Sequence, residues 1–457
     1  MAWPPPSACP PRPSASTGRG RPSWGGWYAP RRIRCRAPSA GRARPPSKAN
    51  GGNHVSDFRA GPADRRDFTV RCAECRAAAS LPAYRCDACA GPLVLDLAEP
   101  SGTTWPDGRG IWRRGPLLPR GRATVTLGEG DTPLLPLSPS GLPTGVEVYA
   151  KIEGQSPTLS FKDRGMALTA SLAVDLGVDG LALASSGNAA VSAAAYAAAA
   201  GLRCAVFCGT GSRADAKLAA ARAYGAQVHV VDGDYSAAYA RATQAEADGV
   251  INVTTTYRNP VPAEAYRTIA VEIHEQLSRV PDVVVVPVGA GPLLYGVHAG
   301  FVDLVRLGLT DGVPRMVGVQ AAACAPLARA WSSTDWRAAL AEPSPPGATA
   351  ATAIADPLRG YEREGLLTLE AVRASGGRVV AVTERAIGEA VRNLARDGLL
   401  AESAAAAAVA ALSGASLGDV LRPGTTVVAL LTGHGVKEPA TLEGIAPRHG
   451  VAQREGG

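Results

Sequence analysis

The stretch Ser160-Phe161-Lys162-Asp163-Arg164-Gly165 decides how this chain is read, because it sets a lysine where an extended segment gives way to a helix. Of the 47 Lys and Arg residues, only those at 48, 151, 162, 217 and 437 are lysine. A chain that uses arginine for simple charge has kept a lysine here. A deprotonated Lys amine forms a covalent bond with an aldehyde, and an Arg guanidinium does not. Ser160 is expected to cap the helix, with Lys162 in its first turn near the positive end of the dipole, where a neutral amine is favoured. Taken alone, the hexapeptide also reads as an ordinary Lys-Asp-Arg surface cluster at a helix start.

Three other loops follow strand-like runs, where α/β sheets bind ligands. Ala184-Ser185-Ser186-Gly187-Asn188 offers a tight turn and an amide donor at Asn188, although Ser-Gly-Asn is also plain capping chemistry. Pro287-Val288-Gly289-Ala290-Gly291-Pro292-Leu293 follows the apolar run Val283-Val284-Val285-Val286. Its small residues let backbone N–H groups approach a phosphate at a helix N-terminus, with one donor lost at Pro292. A dinucleotide fingerprint would need a third glycine, which is missing. Leu431-Thr432-Gly433-His434-Gly435-Val436-Lys437 follows the last strand candidate, and His434 between glycines reads as a turn residue.

From about 123 to 440, β-branched runs alternate with Ala-rich stretches. Strands are expected at 147–152, 181–184, 203–207, 227–231, 250–254, 282–288, 315–319, 378–382 and 426–431. Helices are expected near 162–176, 189–200, 213–224, 235–248, 264–279, 293–308, 384–398 and 402–413, with a loop at 342–348. That order predicts an α/β body with largely parallel sheets.

The 457 residues suit two or three domains, and 46% hydrophobic with 19% charged residues is a globular composition. No uninterrupted apolar run reaches the ~18 residues of a membrane span. The net charge of +7 is confined to residues 1–66, where 13 Lys and Arg face only Asp57 and Asp64. The rest of the chain is net acidic, so no nucleic-acid partner is expected. This Pro/Arg-rich segment reads as a disordered tail. Its scarcity of acids resembles an organellar transit peptide, but a start at Val55 is the preferred reading, with a cytoplasmic location.

Residues 67–100 carry Cys72-x2-Cys75-x10-Cys86-x2-Cys89, two knuckles whose thiolates suit a structural zinc ribbon, with disulfides as the rival. Arg76 and Ala90 stand where glycines normally follow such knuckles. Cys204, Cys208 and Cys324 read as core residues.

Together these segments resemble the threonine synthases, members of the tryptophan-synthase-β-like, fold type II pyridoxal-phosphate enzymes. The run 157–166 (Pro-Thr-x-Ser-Phe-Lys-Asp-Arg-Gly-Met) and the ending 432–437 (Thr-Gly-His-Gly-x-Lys) are the specific parts, and the likeness covers roughly 67–440. The resemblance implies a two-lobed catalytic domain over 123–440 with a smaller lobe at about 155–275, a flexible C-terminus at 441–457, and a homodimer. It implies pyridoxal phosphate held covalently by Lys162, with Asn188 at its 3′-oxygen, Gly289, Ala290, Gly291, Pro292 and Leu293 around its phosphate, and Thr432 at its ring nitrogen. A small amino-acid substrate would meet Ser160, Ser185, Ser186 and Arg258. Lys162 would then remove the α-proton, and in threonine synthase itself O-phosphohomoserine becomes threonine.

The chain also departs from that pattern. The family usually has Asn at 156, Gly at 159 and Thr at 189, where Ser, Leu and Ala stand here. Its substrate-holding region around Tyr257-Arg258 and Glu264-Ala265-Tyr266-Arg267-Thr268 carries an extra Asn259-Pro260-Val261-Pro262. A serine or threonine dehydratase or a β-replacement enzyme is therefore the alternative. A non-catalytic ligand-binding or zinc-ribbon interaction protein is the alternative from another class.

Overall fold

The alternating pattern becomes two parallel sheets, each wrapped by the helices that connect its strands. The structure, a computed structural model, describes residues 67–445 except 101–104, 106–107, 120, 140–141, 211–214, 255–256, 343–346 and 415–416. The expected tail at 1–66, most of the 342–348 loop and the end of the chain lie outside the described residues.

The chain opens with a small antiparallel sheet of β1 (Phe68–Cys72), β2 (Ala78–Ala79) and β3 (Leu93–Leu97). β4 (Leu134–Leu137) and β5 (Glu147–Ile152) then form one edge of the large sheet. The chain leaves that sheet through α1 (Lys162–Leu176) and builds a second one from β6 (Gly180–Ala184), α2 (Asn188–Ala200), β7 (Arg203–Gly209), α3 (Asp215–Ala223), β8 (Gln227–Val231), α4 (Tyr235–Gln244) and β9 (Ile251–Asn252). It returns through α5 (Val261–Ala265) and α6 (Arg267–Leu277) to β10 (Val283–Pro287), α7 (Pro292–Arg306) and β11 (Arg315–Ala321). After α8 (Pro326–Trp331), α9 (Trp336–Ala341) and α10 (Gly365–Ala374), the sheet is completed by β12 (Arg378–Val382), α11 (Glu384–Arg396), α12 (Ser403–Leu412) and β13 (Thr426–Leu431), and α13 (Pro439–Ile445) follows.

The large sheet has the order β12-β11-β10-β13-β5-β4, parallel except for the β4–β5 pair, and the smaller has β8-β7-β6-β9, all parallel. The all-valine start of β10 is buried along its whole length, as expected of a central strand covered on both faces. Nearly every residue of α2 is buried, and its alanines let it pack closely on α1 and α3.

The differences from expectation are local. The strand expected at 250–254 stops at Asn252, because Thr254 Oγ1 rather than a backbone carbonyl accepts the Ala184 N–H at 3.0 Å. The helix expected at 264–279 is two helices, the first beginning in the extra segment at Val261. β4 was not foreseen because Pro136 interrupts its pattern at a sheet edge, and α8 and α9 are six residues each, too short for a period to show. Among the described residues no helix is long and apolar enough to cross a membrane.

Candidate active site

The turn before α1 is fastened to the loop after β13. Phe161 N–H donates to the Thr432 carbonyl at 3.1 Å, His434 N–H to the Leu159 carbonyl at 3.1 Å, and Ser160 bridges to Gly433. Leu159 takes a left-handed φ of 62° to make this turn. Lys162 is the first residue of α1, as expected, but Ser160 is not its cap. The capping residue is Phe161, no side chain bonds the helix end, and Ser160 Oγ is buried without a partner. Asp163 locks the turn from below. It accepts from Thr158 N–H at 2.6 Å, Thr158 Oγ1 at 2.5 Å and Ser192 Oγ of α2 at 2.6 Å, which ties α1 to the helix that begins at Asn188.

The described lysines now separate by role. Lys151 is ion-paired with Glu272 at 2.7 Å, Lys217 with Glu402 at 2.9 Å, and Lys437 donates to the Thr158 carbonyl at 2.9 Å. Among the described residues Lys162 Nζ has no hydrogen-bond acceptor; it lies 4.6 Å from the centre of the Phe161 ring and borders a cavity of about 300 Å³. Burial drives its amine down to about 8, only partly opposed by the charge of Asp356. At neutral pH a usable fraction of the amine is therefore neutral.

The other loops converge on the same cavity. Ser185, Ser186, Gly187 and Asn188 line one side, the segment Gly289–Leu293 another, and Thr432 a third. Asn188 Nδ2 donates to Glu402 at 2.5 Å while its Oδ1 is buried with no partner. Gly291 caps α7 at φ 98°, and a Cβ there would meet Thr368 Oγ1 at 2.3 Å. The same Thr368 hydroxyl bonds the Ala290 carbonyl at 2.6 Å and Tyr257 Oη at 2.8 Å, which braces the loop at the helix N-terminus. An amine without an acceptor, a glycine cradle at a fifteen-residue helix and an unpartnered amide oxygen fit an aldehyde-bearing phosphate cofactor.

Two expected contacts are not in this cavity. Arg258 does not line it, because its guanidinium is committed to Glu246 at 2.6 and 2.7 Å and stacks over Tyr84 and Tyr239. Ser160 is likewise absent from the lining. The extra Pro262 packs against Gly165 of α1, where a Cβ would come within 2.9 Å of it, so the inserted segment leans on the lysine-bearing helix. Lys217, Glu402, Tyr235 and Asp356 do line the cavity and were not foreseen. They lie on segments far apart in sequence with no local motif; the scarcity of lysine was the one available signal, and it held for Lys217 too.

A larger groove of about 720 Å³ lies at the opposite end of the large sheet, near the start of β10 and β11. It holds none of the loops described above, and the smaller cavity sits where parallel strands end, so the chemistry belongs to the smaller one.

The four ribbon sulfurs lie within 4.8 Å of one another, and the cysteines are free rather than bridged. Arg76 and Ala90 have φ of 67° and 56°, the left-handed conformation that glycine would adopt without strain. Cys204, Cys208 and Cys324 are buried, as expected.

Two largely parallel sheets, with a lysine that has no acceptor among the described residues at the start of a helix lining the cavity beyond their strand ends, have the layout of an α/β enzyme. Residues 125–433 match the model of the pyridoxal-phosphate dependent enzyme family. The chain belongs to that family, and it is a pyridoxal-phosphate-dependent lyase. It is 34% identical over 388 residues to threonine synthase of Methanosarcina acetivorans, covering 82% of this chain and 93% of that one. With threonine synthase of Mycobacterium tuberculosis it shares 38% identity over 318 residues, 69% of this chain and 84% of that one. Among solved structures, a fungal L-serine ammonia-lyase from Rhizomucor miehei matches with a TM-score of 0.56 at 23% identity, covering 69% of this chain and 96% of that one. Maize serine racemase matches with a TM-score of 0.57 at 18% identity, covering 69% and 92%. At these identities the two structures show the shared fold.

Proposed function

We propose that this lyase is a threonine synthase, turning O-phosphohomoserine and water into threonine and phosphate. The observation that carries the reading is the partnerless Lys162 in a cavity bordered by Asn188, the Gly289–Leu293 loop and Thr432, in a chain whose threonine synthase relatives match over most of its length. Lys162 anchors the cofactor covalently and takes the α-proton. Asn188, whose Nδ2 is given to Glu402 and whose open Oδ1 accepts, would face the cofactor's 3′-hydroxyl, the backbone of 289–293 with the N-terminus of α7 would hold the phosphate, and Thr432 would stand at the ring nitrogen as a neutral partner. When bound, the cofactor supplies an electron sink for the pair left on a substrate carbon after proton removal. Ser185 and Ser186 line the cavity, where they would meet the substrate.

The reading extends to a homodimer in the cytoplasm and to one structural zinc on Cys72, Cys75, Cys86 and Cys89. A tetrahedral Zn–S distance of about 2.3 Å needs sulfurs ~3.8 Å apart, and sulfur separations of 3.5 Å in three of the pairs support the fit.

One observation favours a second reading, a serine or threonine dehydratase. Among the described residues lining the cavity the cations are Lys162 and Lys217, and Lys217 is already paired with Glu402, which leaves no spare cation for a substrate phosphate.

Purified protein is expected to absorb in the visible, and borohydride should abolish the band and label Lys162. Phosphate and threonine formed from O-phosphohomoserine would support the proposal. A 2-oxo acid and ammonia from serine or threonine, with no phosphate release, would overturn it in favour of the dehydratase.

A further inference from the structure

Arg363 and Glu364, in the single turn before α10, hold the cysteine ribbon at both of its knuckles. Arg363 donates to the Glu74 carboxylate at 2.9 Å and to the Cys89 carbonyl at 2.5 Å. Glu364 accepts from the guanidinium of Arg85, the residue immediately before Cys86. The Glu364 side chain is only 1% exposed, and the cation paired with it comes from the ribbon.

From Glu364 a line of bonds runs on to the loop after β10. Its other oxygen accepts the Tyr257 N–H at 2.8 Å. Thr368 spends its one hydroxyl proton on the Ala290 carbonyl at 2.6 Å, so at 2.8 Å it accepts from the Tyr257 hydroxyl. Tyr257, Glu364 and Thr368 are all buried, so a bond broken along this line is not made good by bulk water.

The ribbon end of the line has a reason to exist in two states. Arg76 and Ala90, each directly after the second cysteine of a knuckle, hold left-handed φ of 67° and 56°. Residues other than glycine keep that conformation only where their surroundings impose it. Four thiolates within 4.8 Å of one another repel and impose nothing, whereas a metal ion draws them together.

We propose that the cysteine ribbon is a metal-dependent brace on the cofactor's phosphate loop, passing metal binding through Arg85, Glu364, Tyr257 and Thr368 to Ala290. The inference rests on two readings given above, a metal on the four cysteines and the cofactor phosphate at residues 289–293. Without the metal the knuckles relax and Arg85 withdraws, which leaves Glu364 a buried anion with no cation, a strongly unfavourable state. Glu364 escapes it by turning to water, and Tyr257, Thr368 and the Ala290 carbonyl lose their anchor. Coupling between two sites is reciprocal, so metal and cofactor tighten each other's binding by the same factor.

The test uses the full-length protein stripped of cofactor with hydroxylamine, with zinc either loaded or removed by a chelator. Titration with pyridoxal phosphate, followed by absorbance, is expected to give a dissociation constant about tenfold lower with zinc than without. Competition with a chromophoric chelator should show zinc held about tenfold more tightly once pyridoxal phosphate is bound. Pyridoxal, which lacks the phosphate, should bind equally well in both metal states. Arg85→Met and Thr368→Val should keep their zinc while the ratio of the two dissociation constants falls below about twofold. A role in general stability alone would weaken binding in both metal states and leave that ratio intact. A ratio near one in wild type, an unchanged ratio in either variant, or an equal zinc effect on pyridoxal would each overturn the inference. Failure of the wild type to bind zinc would overturn the ribbon assignment along with it. Pyridoxal phosphate bound no more tightly than pyridoxal, with or without zinc, would overturn the placement of the phosphate as well.

Discussion

Lys162 carries a consequence that can be measured without substrate. An ordinary lysine, with a pKa near 10.4, is neutral in roughly one chain in 2,500 at pH 7. At about 8, the value burial gives Lys162, that fraction rises to about one in ten. Attachment of pyridoxal phosphate to the cofactor-free protein is therefore expected to quicken about tenfold per pH unit up to pH 8 and then level off, as stopped-flow absorbance would show. A rate still climbing steeply at pH 9 would mean that the amine is solvated like a surface lysine. The same depression has a sign for stability. Because the folded value lies below the unfolded one, burial of the ammonium destabilises the fold below pH 8, and that cost fades as pH rises from 8 toward the ordinary lysine range. The residue-level reading of the sequence named Lys162, Asn188 and Thr432, which the fold brings to one cavity, because each belongs to a contiguous motif. It did not name Asp356 and misplaced Arg258 because only the tertiary fold brings their neighbours near: Asp356 lines the same cavity as Lys162, 194 residues before it, and Glu246 and Tyr84 claim the Arg258 guanidinium.

At the level of elements, most strands and helices were legible because buried parallel strands are short β-branched runs and their connections are long enough for a period to show. What sequence could not price was the backbone of the turns. Three positions where the resemblance leads one to expect glycine (Arg76, Ala90 and Leu159) hold left-handed conformations with ordinary side chains. A left-handed residue other than glycine costs about 1–2 kcal/mol, and glycine gives back ~0.5–1 kcal/mol through its freer unfolded chain. Leu159→Gly, in the turn that delivers Lys162, is accordingly expected to stabilise the protein by about 0.5–1 kcal/mol. A higher denaturation midpoint with no change in the visible cofactor band would bear this out. A lower midpoint would show that contacts of the half-buried Leu159 side chain outweigh the relief of its backbone.

Across the whole molecule, one buried ionic network joins segments that have no sequence relation. Glu272 of α6 accepts from Arg164 of α1 at 2.6 and 2.9 Å and from Lys151 of β5 at 2.7 Å. It also receives the Asp131 and Thr132 N–H groups at 3.0 and 3.2 Å, while Arg164 makes a second pair with Glu153 at 2.8 Å. These side chains are essentially inaccessible to solvent, so the network fixes how α1, and with it Lys162, sits on the large sheet. Burial by itself pushes the Glu272 carboxyl up, but Arg164 and Lys151 overcome that and hold it well below the usual carboxylate range. A depressed folded value contributes stability that is present above the ordinary carboxylate pKa and is lost as pH falls toward the folded one. Glu272→Gln keeps the shape and removes the charge, leaving Lys151 without an anionic partner and Arg164 with only Glu153. Breaking one member of a buried pair typically costs about 3–5 kcal/mol, more than a surface ion pair contributes by several-fold. Urea unfolding at neutral pH should show a loss of that size. The gap between variant and wild type should narrow as both are titrated below pH ~4, where the unfolded wild-type chain takes up the proton that folded Glu272 resists. A gap that stays constant with pH would mean that Glu272 acts through packing and hydrogen bonds alone.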